Sequence, residues 1–380
     1  MGFFKAKLVG ICYKVSCLRM KNIHRFLLIF FLVVSVTPVF ASGDEHSEHA
    51  SQETLQKEKF EPGSFIMDHI ADSYDWHVFS FGDFHATLPL PVIVHSESSG
   101  FHIFLSSNFH HGHSAYKGFT IAKEGGYRGK VVEMVNGYEV RPFDISMTKN
   151  VVAMLVSMLI LLWVFISVAK AYTKRKGKAP KGMQSLIEPI IIFVRDEVAK
   201  PAIGEKKYEK YMPYLLTIFF FIWLNNLMGM VPFLPGGANV TGNITITMVL
   251  ALFTFVITTI NGNKTYWKDI FNTPGVPWWL KFPIPLMPLV EVMGVFTKPF
   301  VLMVRLFANI TAGHMIVLAF VSLIFIFGQI SPGLGYGTSV VSVLFIVFMD
   351  MLELLVALIQ AYVFTLLSAL YFGMATEEHH

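Results

Sequence analysis

Cysteine is nearly missing from this chain. The two that occur, Cys12 and Cys17, lie near its start. Downstream of them, disulfides and cysteine metal sites are excluded. Charge is scarce too. Asp, Glu, Lys and Arg make up 15% of the residues, against about 25% in soluble domains. The net charge of +4 is too small to argue for a nucleic-acid partner. No G-x-x-x-x-G-K-[ST] stretch occurs, so ATP is not held by a P-loop. "GLGYG" (333–337) reads as a loop rather than a nucleotide fingerprint. What the chain has instead is apolar mass: 54% hydrophobic residues, with 36 Phe and 19 Met. That is the composition of a polytopic membrane protein.

Residues 20–41 run from a basic start (Lys21, Arg25) through an apolar core to Pro38 and a Val39-x-Ala41 cleavage pattern. This reads as a signal peptide over 1–41, with Met20 as an alternative start. The apolar core is too short to cross a bilayer. A mature chain is expected to begin at or near Ser42, which amino-terminal sequencing would check. Residues 42–148 are polar and punctuated by turns, a small exported domain with some β. "FHIFLSS" and "YRGKVVEMVNGYEV" suggest strands and a hairpin. Most of the 14 histidines fall here. His110, His111 and His113 are a conceivable metal group, but no acid or cysteine joins them at ligand spacing. No metal and no cofactor are expected.

From Lys149 the pattern predicts an all-α membrane domain over 149–376, followed by a tail at 377–380. About five embedded helices are expected, with one amphipathic surface helix over 183–200. The spans are read at 151–169, 212–232, 244–260, about 284–327 and about 338–373. Lys170, Lys174, Arg175, Lys176, Lys178 and Lys181 follow the first span. Such a cluster marks the cytoplasmic side. That places the amino terminus outside, in the periplasm, and the carboxyl terminus in the cytoplasm, in a bacterial inner membrane. The last two spans exceed a hydrocarbon core of about 30 Å, so they must lie oblique or bend. The connector "GQISPGLGYG" is uncharged and reads as an external loop.

Polar residues at membrane depth are costly and mark function by default. Glu291, Lys298 and Arg305 are spaced by sevens and share one helix stripe. Ala308, Asn309 and Ala312 continue the Arg305 face, and small residues there admit another helix. The alternative for Arg305 is an internal salt bridge to Asp350 or Glu353. His314 lies half a turn out of phase with Arg305. Glu353 and Gln360 share a face of the last helix, with Ala357 between. An imidazole and a carboxylate, His314 with Glu353, would make a proton-exchanging pair. Packing is the bland reading for His314, and it explains Asn225 and Asn226 as well as a water path does.

"KPFVLMVRLFANITAGH" with "ELLVALIQAYVFTLLSALYFGMATEE" resembles subunit a of the F-type ATP synthase, over roughly 149–376. The resemblance implies a non-catalytic stator subunit that couples ion flow to rotation. Arg305 is then the essential arginine facing a ring of c subunits. Asn309, His314, Glu353 and Gln360 would surround the half-channel open to the outside, with Glu291 near the cytoplasmic one. Asn226, Lys298 and Asp350 are possible accessory residues. The implied partners are the c-ring, peripheral-stalk b subunits, the rest of the synthase and the bilayer. The competing class is a self-contained channel or secondary transporter. Such folds usually carry internal repeats, and none is visible here. A metal-binding receptor built on 42–148 is a third class.

Overall fold

The computed structural model describes residues 61–377 except 82–83, 110–111, 113, 124, 136, 176–177, 232–236 and 273–285. The leader 1–41, the start at Met20 and the trio His110, His111 and His113 lie outside the described residues. Among the described residues, no group of three or more His, Cys, Asp or Glu is placed to hold a metal.

A small mixed domain comes first. Helix α1 (Pro62–Ile70) opens on a proline, whose fixed φ suits a first helical turn. Strands β1 (Asp75–Phe81) and β2 (Phe84–Pro89) form an antiparallel hairpin. Then come β3 (Pro91–Ser96), β4 (Gly100–Leu105), β5 (Phe119–Ile121), β6 (Val131–Val135), β7 (Tyr138–Val140) and β8 (Phe143–Asp144). They make two antiparallel sheets, ordered β4-β3-β8 and β5-β6-β7. The expected strand at "FHIFLSS" is β4, and the expected hairpin is β6–β7, turned by Gly137 at φ 84°. Tyr74, Val92, Val94, Phe104, Phe109, Phe119 and Val131 form the domain's own core.

Glu133 fastens the two sheets together. The hydroxyls of Ser96, Ser98 and Ser99 in and after β3 donate to its carboxylate. The Ser96 and Ser98 bonds hold its pKa below the usual carboxylate range, against an opposing desolvation. A depressed folded-state pKa stabilises the fold fully above the unfolded value of about 4.3. The contribution is lost as the pH falls below that through the folded value. Glu133→Gln should cost about 1–3 kcal/mol at neutral pH and blunt this domain's acid sensitivity. Hydrogen exchange of β3 and β6 amides in the full chain, at pH 7 and in acid, measures both.

Helix α2 (Lys149–Lys174) starts where the domain ends. A helix start leaves backbone N–H groups without intrahelical acceptors. Here Lys149 N–H donates to Ser73 O (2.9 Å) and Asn150 N–H to Asp72 Oδ1 (3.1 Å). Trp76 of β1 joins the core cluster of the helical bundle, and Phe65 of α1 packs edge-on against Phe325 at 6.1 Å. The domain is therefore tied to the bundle at several points.

The expected helix over 183–200 is continuous but does not keep α geometry: α3 (Met183–Phe193) runs through a π-helical stretch Val194–Ala199 into α4 (Lys200–Ile203). Pro201 has no N–H for the preceding turn, and the backbone widens so that Lys200 N–H reaches Arg195 O. Nor is it a surface helix throughout, because Val194, Val198 and Ala199 are fully buried in the bundle core. The Arg195 guanidinium, with Lys200, holds the Asp196 carboxyl down at about 2.

Helices α5 (Tyr208–Met230), α6 (Ile244–Ile260), α7 (Lys264–Phe271), α8 (Leu286–Ile330) and α9 (Pro332–Thr376) complete the bundle. Among the described residues, four helices are long and apolar enough to cross a membrane: α2, α5, α8 and α9. The pair α6–α7, bent by 102°, makes a fifth candidate. The long pair α8 and α9 has 45 residues in each helix, about 68 Å at 1.5 Å per residue. The connector between them corrects the sequence reading. "GLGYG" is the first turns of α9 and not a loop, and Ser331 is the single residue between the two helices. Pro332 suits a helix start, and backbone N–H groups in an apolar setting are best satisfied inside a helix. Gly335 makes the tight return possible, since a Cβ there would stand 2.8 Å from Gly328 Cα.

Helix α9 is the spine of the bundle. Ala357, Ala361, Thr365, Ser368 and Ala369 are buried on one flank and let neighbouring helices approach closely. Its last carbonyls are capped from outside. Asn263 N–H donates to Ala375 O, and Asn263 Nδ2 and Lys207 Nζ donate to Thr376 O, all within 3.0 Å.

Candidate functional site

The polar residues at membrane depth fall into two groups on α8 and α9, and the phase expected from their spacing is met. Arg305, Ala308, Asn309 and Ala312 form one exposed strip on α8, flanked by exposed Phe300, Val301 and Val304. No carboxylate pairs with Arg305 among the described residues, and its charge is felt at the Tyr371 hydroxyl. The salt-bridge alternative is therefore not adopted. Asp350 is exposed, and Glu353 is engaged elsewhere.

Glu353 sits on the inner side, 7% exposed, with its Oε1 against Nδ1 of His314. The imidazole is the partner that Oε1 has in this buried setting. Two glycines make room for the pair. A Cβ on Gly313 would stand 3.1 Å from Glu353 Oε1, and one on Gly229 would stand 3.6 Å from His314 Nε2. Gln360 is buried two turns further along the Glu353 face, with Ala357 between them as expected.

Asn226 closes this group from α5. Its Nδ2 donates to Ala357 O at 3.1 Å, and its Oδ1 accepts from Thr241 Oγ1 at 2.6 Å. Thr241 belongs to the segment between α5 and α6, which folds inward so that Asn239, Val240 and Thr241 are buried. Asn225 instead turns back on its own helix, donating to Phe221 O at 2.7 Å.

The second group lies near the other end of the Arg305 stripe. Glu291 and Lys298 interact electrostatically. The Lys298 ammonium stands 5.6 Å from the centre of the Tyr371 ring. Lys298 and Tyr371 line a crevice with Thr254, Thr258 and Tyr266. Behind it, Tyr214 Oη and Thr254 Oγ1 are 2.7 Å apart, and Thr254 Oγ1 and Ser368 Oγ are 3.2 Å apart. Tyr371, Thr254, Tyr214 and Ser368 were not singled out in the sequence. Thr254 and Thr258, one turn apart in an apolar helix, were the available signal.

The comparison with protein families matches the chain to the ATP synthase A chain over residues 151–373. The chain belongs to this family. Residues 65–147 match a second family, a domain of unknown function (DUF8433). ATP synthase subunit a of Chloroherpeton thalassium is 45% identical over 250 residues, which is 63% of this chain and 70% of the relative. ATP synthase subunit a 2 of Chlorobaculum tepidum is 38% identical over 338 residues, 87% of this chain and 78% of the relative. ATP synthase subunit a of Myxococcus xanthus is 43% identical over 244 residues, 62% of this chain and 75% of the relative. Family membership, with several long apolar helices, makes this chain a multi-pass membrane subunit of an ATP synthase.

Proposed function

We propose that this chain is the stator subunit that carries protons past a rotor ring of c subunits, with Arg305 as the gate between two half-channels. The observation that carries the reading is Arg305 itself. A permanently charged guanidinium stands on an outer apolar face, beside two alanines, with no carboxylate on it among the described residues. An arginine left to lipid costs at least roughly 2.5–3.5 kcal/mol. A carboxylate presented by another subunit would remove that cost.

A ring carboxylate can face lipid only when protonated. Beside Arg305 its ionised form is favoured, so it gives up its proton there. It must take another from the opposite half-channel before it returns to lipid. Arginine suits the position because it stays charged where a buried lysine can lose its proton. The driving force is roughly 2.3 kcal/mol per charge per 100 mV.

The outer half-channel in this proposal is the cluster His314, Glu353, Gln360 and Asn226, with Asn309 on the ring-facing strip. The buried Glu353 carboxylate in contact with an imidazole supports proton exchange there. Glu291, Lys298 and the crevice at Tyr371 belong to the cytoplasmic half-channel. Asp350 is one turn from Glu353 and is an accessory group at the outer side. The amino terminus is outside and the carboxyl terminus is in the cytoplasm, which agrees with the basic cluster after α2. The peripheral stalk's b subunits would hold the chain against the ring.

Purification in mild detergent tests the assignment. A ring of small hairpin proteins should come down with the full chain. Recovery of the chain as a functional ion carrier without a ring would favour a self-contained channel and end this reading.

A further inference from the structure

The sheet β4-β3-β8 has two unlike faces. The inner one, with Val92, Val94 and Phe104, belongs to the domain core. The outer one is apolar and, among the described residues, uncovered. Register places its side chains in three rows: Phe101–His95–Phe143, then Ile103–Ile93 and Leu105–Pro91. Ile145 and Met147 extend the last two rows, since their N–H groups bond Ile93 O and Pro91 O. The six outer-strand side chains of these rows are 38% to 60% exposed. No Asp, Glu, Lys or Arg occurs among them, and His95 is the one titratable group.

We propose that this face rests on the bilayer surface from which α2 emerges, its apolar side chains seated at the boundary between headgroups and acyl chains. Continuity with the membrane carries the argument. Met147 precedes the first residue of the span by two positions, about 7 Å of extended chain. The row Leu105–Pro91–Met147 is therefore held close to the point where the chain enters lipid. The backbone bonds from Lys149 and Asn150 to Ser73 and Asp72 fix the domain there.

Size and charge separate lipid from other occupants. Three strands of about five residues present a footprint of about 10 by 14 Å. A stable protein interface takes roughly 20–30 residues a side, and the three rows supply nine. Interfacial binding to lipid asks less, because it grows with each apolar side chain inserted. The preceding segment 42–60, "SGDEHSEHASQETLQKEKF", is too polar to cover the face. The proposal is independent of the rotor-facing role of Arg305.

The test uses the full chain with Cys12 and Cys17 changed to Ser, and a single new cysteine at Ile103→Cys or Ile145→Cys. Both sites are exposed, so the fold should tolerate them. Each cysteine carries an environment-sensitive fluorophore, and the protein is placed in phosphatidylethanolamine–phosphatidylglycerol vesicles. Expected are blue-shifted emission and several-fold stronger quenching by a shallow nitroxide on the acyl chain than by aqueous iodide, at both sites. Strong iodide quenching with none from lipid would mean an open surface and would overturn the proposal. Protection from both quenchers would mean a protein covers the face and would overturn it equally.

Discussion

Vesicles carrying Arg305→Ala should neither synthesise ATP nor pump protons on ATP hydrolysis, both activities falling to background. Passive proton conductance through the membrane sector should persist or rise. The complex should still assemble, because Arg305 is exposed and pairs with no carboxylate among the described residues. Removing it leaves no orphaned buried charge, and Ala308 and Ala312 keep their clearance. The ring carboxylate would lose the cation that favours its ionised form, and the electrostatic barrier between half-channels would go with it. Arg305→Lys should not restore coupling, since a compact ammonium lacks the planar fork and can deprotonate. Proton flux in vesicles stripped of the catalytic head, set beside pumping in intact ones, reads the outcome. Normal pumping by Arg305→Ala would remove the gate assignment. Failure to assemble would make Arg305 a structural cation.

The second large effect is expected at His314 and Glu353. Glu353→Gln keeps size and removes the titrating group, and it should slow proton flow at least about tenfold, equivalent to 1.4 kcal/mol on the limiting step. The exchange of His314→Glu with Glu353→His should recover part of that loss. The side chains already touch across the α8–α9 seam, and Gly313 and Gly229 leave room around them. A coupling of about 0.5–3 kcal/mol between the single changes is the range for residues in contact. A double variant no better than the worse single one would mean that the two act separately. Gly313→Leu should mimic part of the Glu353 defect by pushing the carboxylate out of place.

Periodicity carried most of the long-range information in this sequence. The sevens from Glu291 to Lys298 to Arg305, and from Glu353 to Gln360, placed residues on the faces the structure gives them. The half-turn offset of His314 sent it inward, away from the Arg305 strip. Runs of apolar residues marked the long helices α2, α5, α8 and α9, because lipid leaves the backbone few options. Three things stayed hidden. The glycines of "GQISPGLGYG" look like turn residues by local propensity, yet they serve a close helix crossing at Gly328 and Gly335 that only tertiary packing reveals. The helix over 183–200 had the right apolar pattern, but Pro201 acts through the donor it lacks, and the π turn follows from that. The inward fold of Thr241 onto Asn226 depends on contacts between distant parts of the chain, for which periodicity has no signal. The partner of Glu353 was legible as one of several choices. The structure selects His314, and so leaves Arg305 free of it.

The one-residue return at Ser331 has a consequence for how the protein is made. Two helices joined so tightly form a hairpin whose closure needs almost no loop entropy. They can leave the insertion machinery as a single unit, with no stage at which one long helix waits alone in lipid for the other. His314 and Glu353 lie on opposite arms of that unit, and Gly313 faces Glu353 across the same seam. The carboxylate therefore meets its imidazole as the hairpin forms, before any other subunit has arrived. Arg305 has no such companion within the hairpin. Under the rotor-facing role proposed for Arg305, its partner would come from the ring, and docking of the ring would then complete membrane insertion of this subunit.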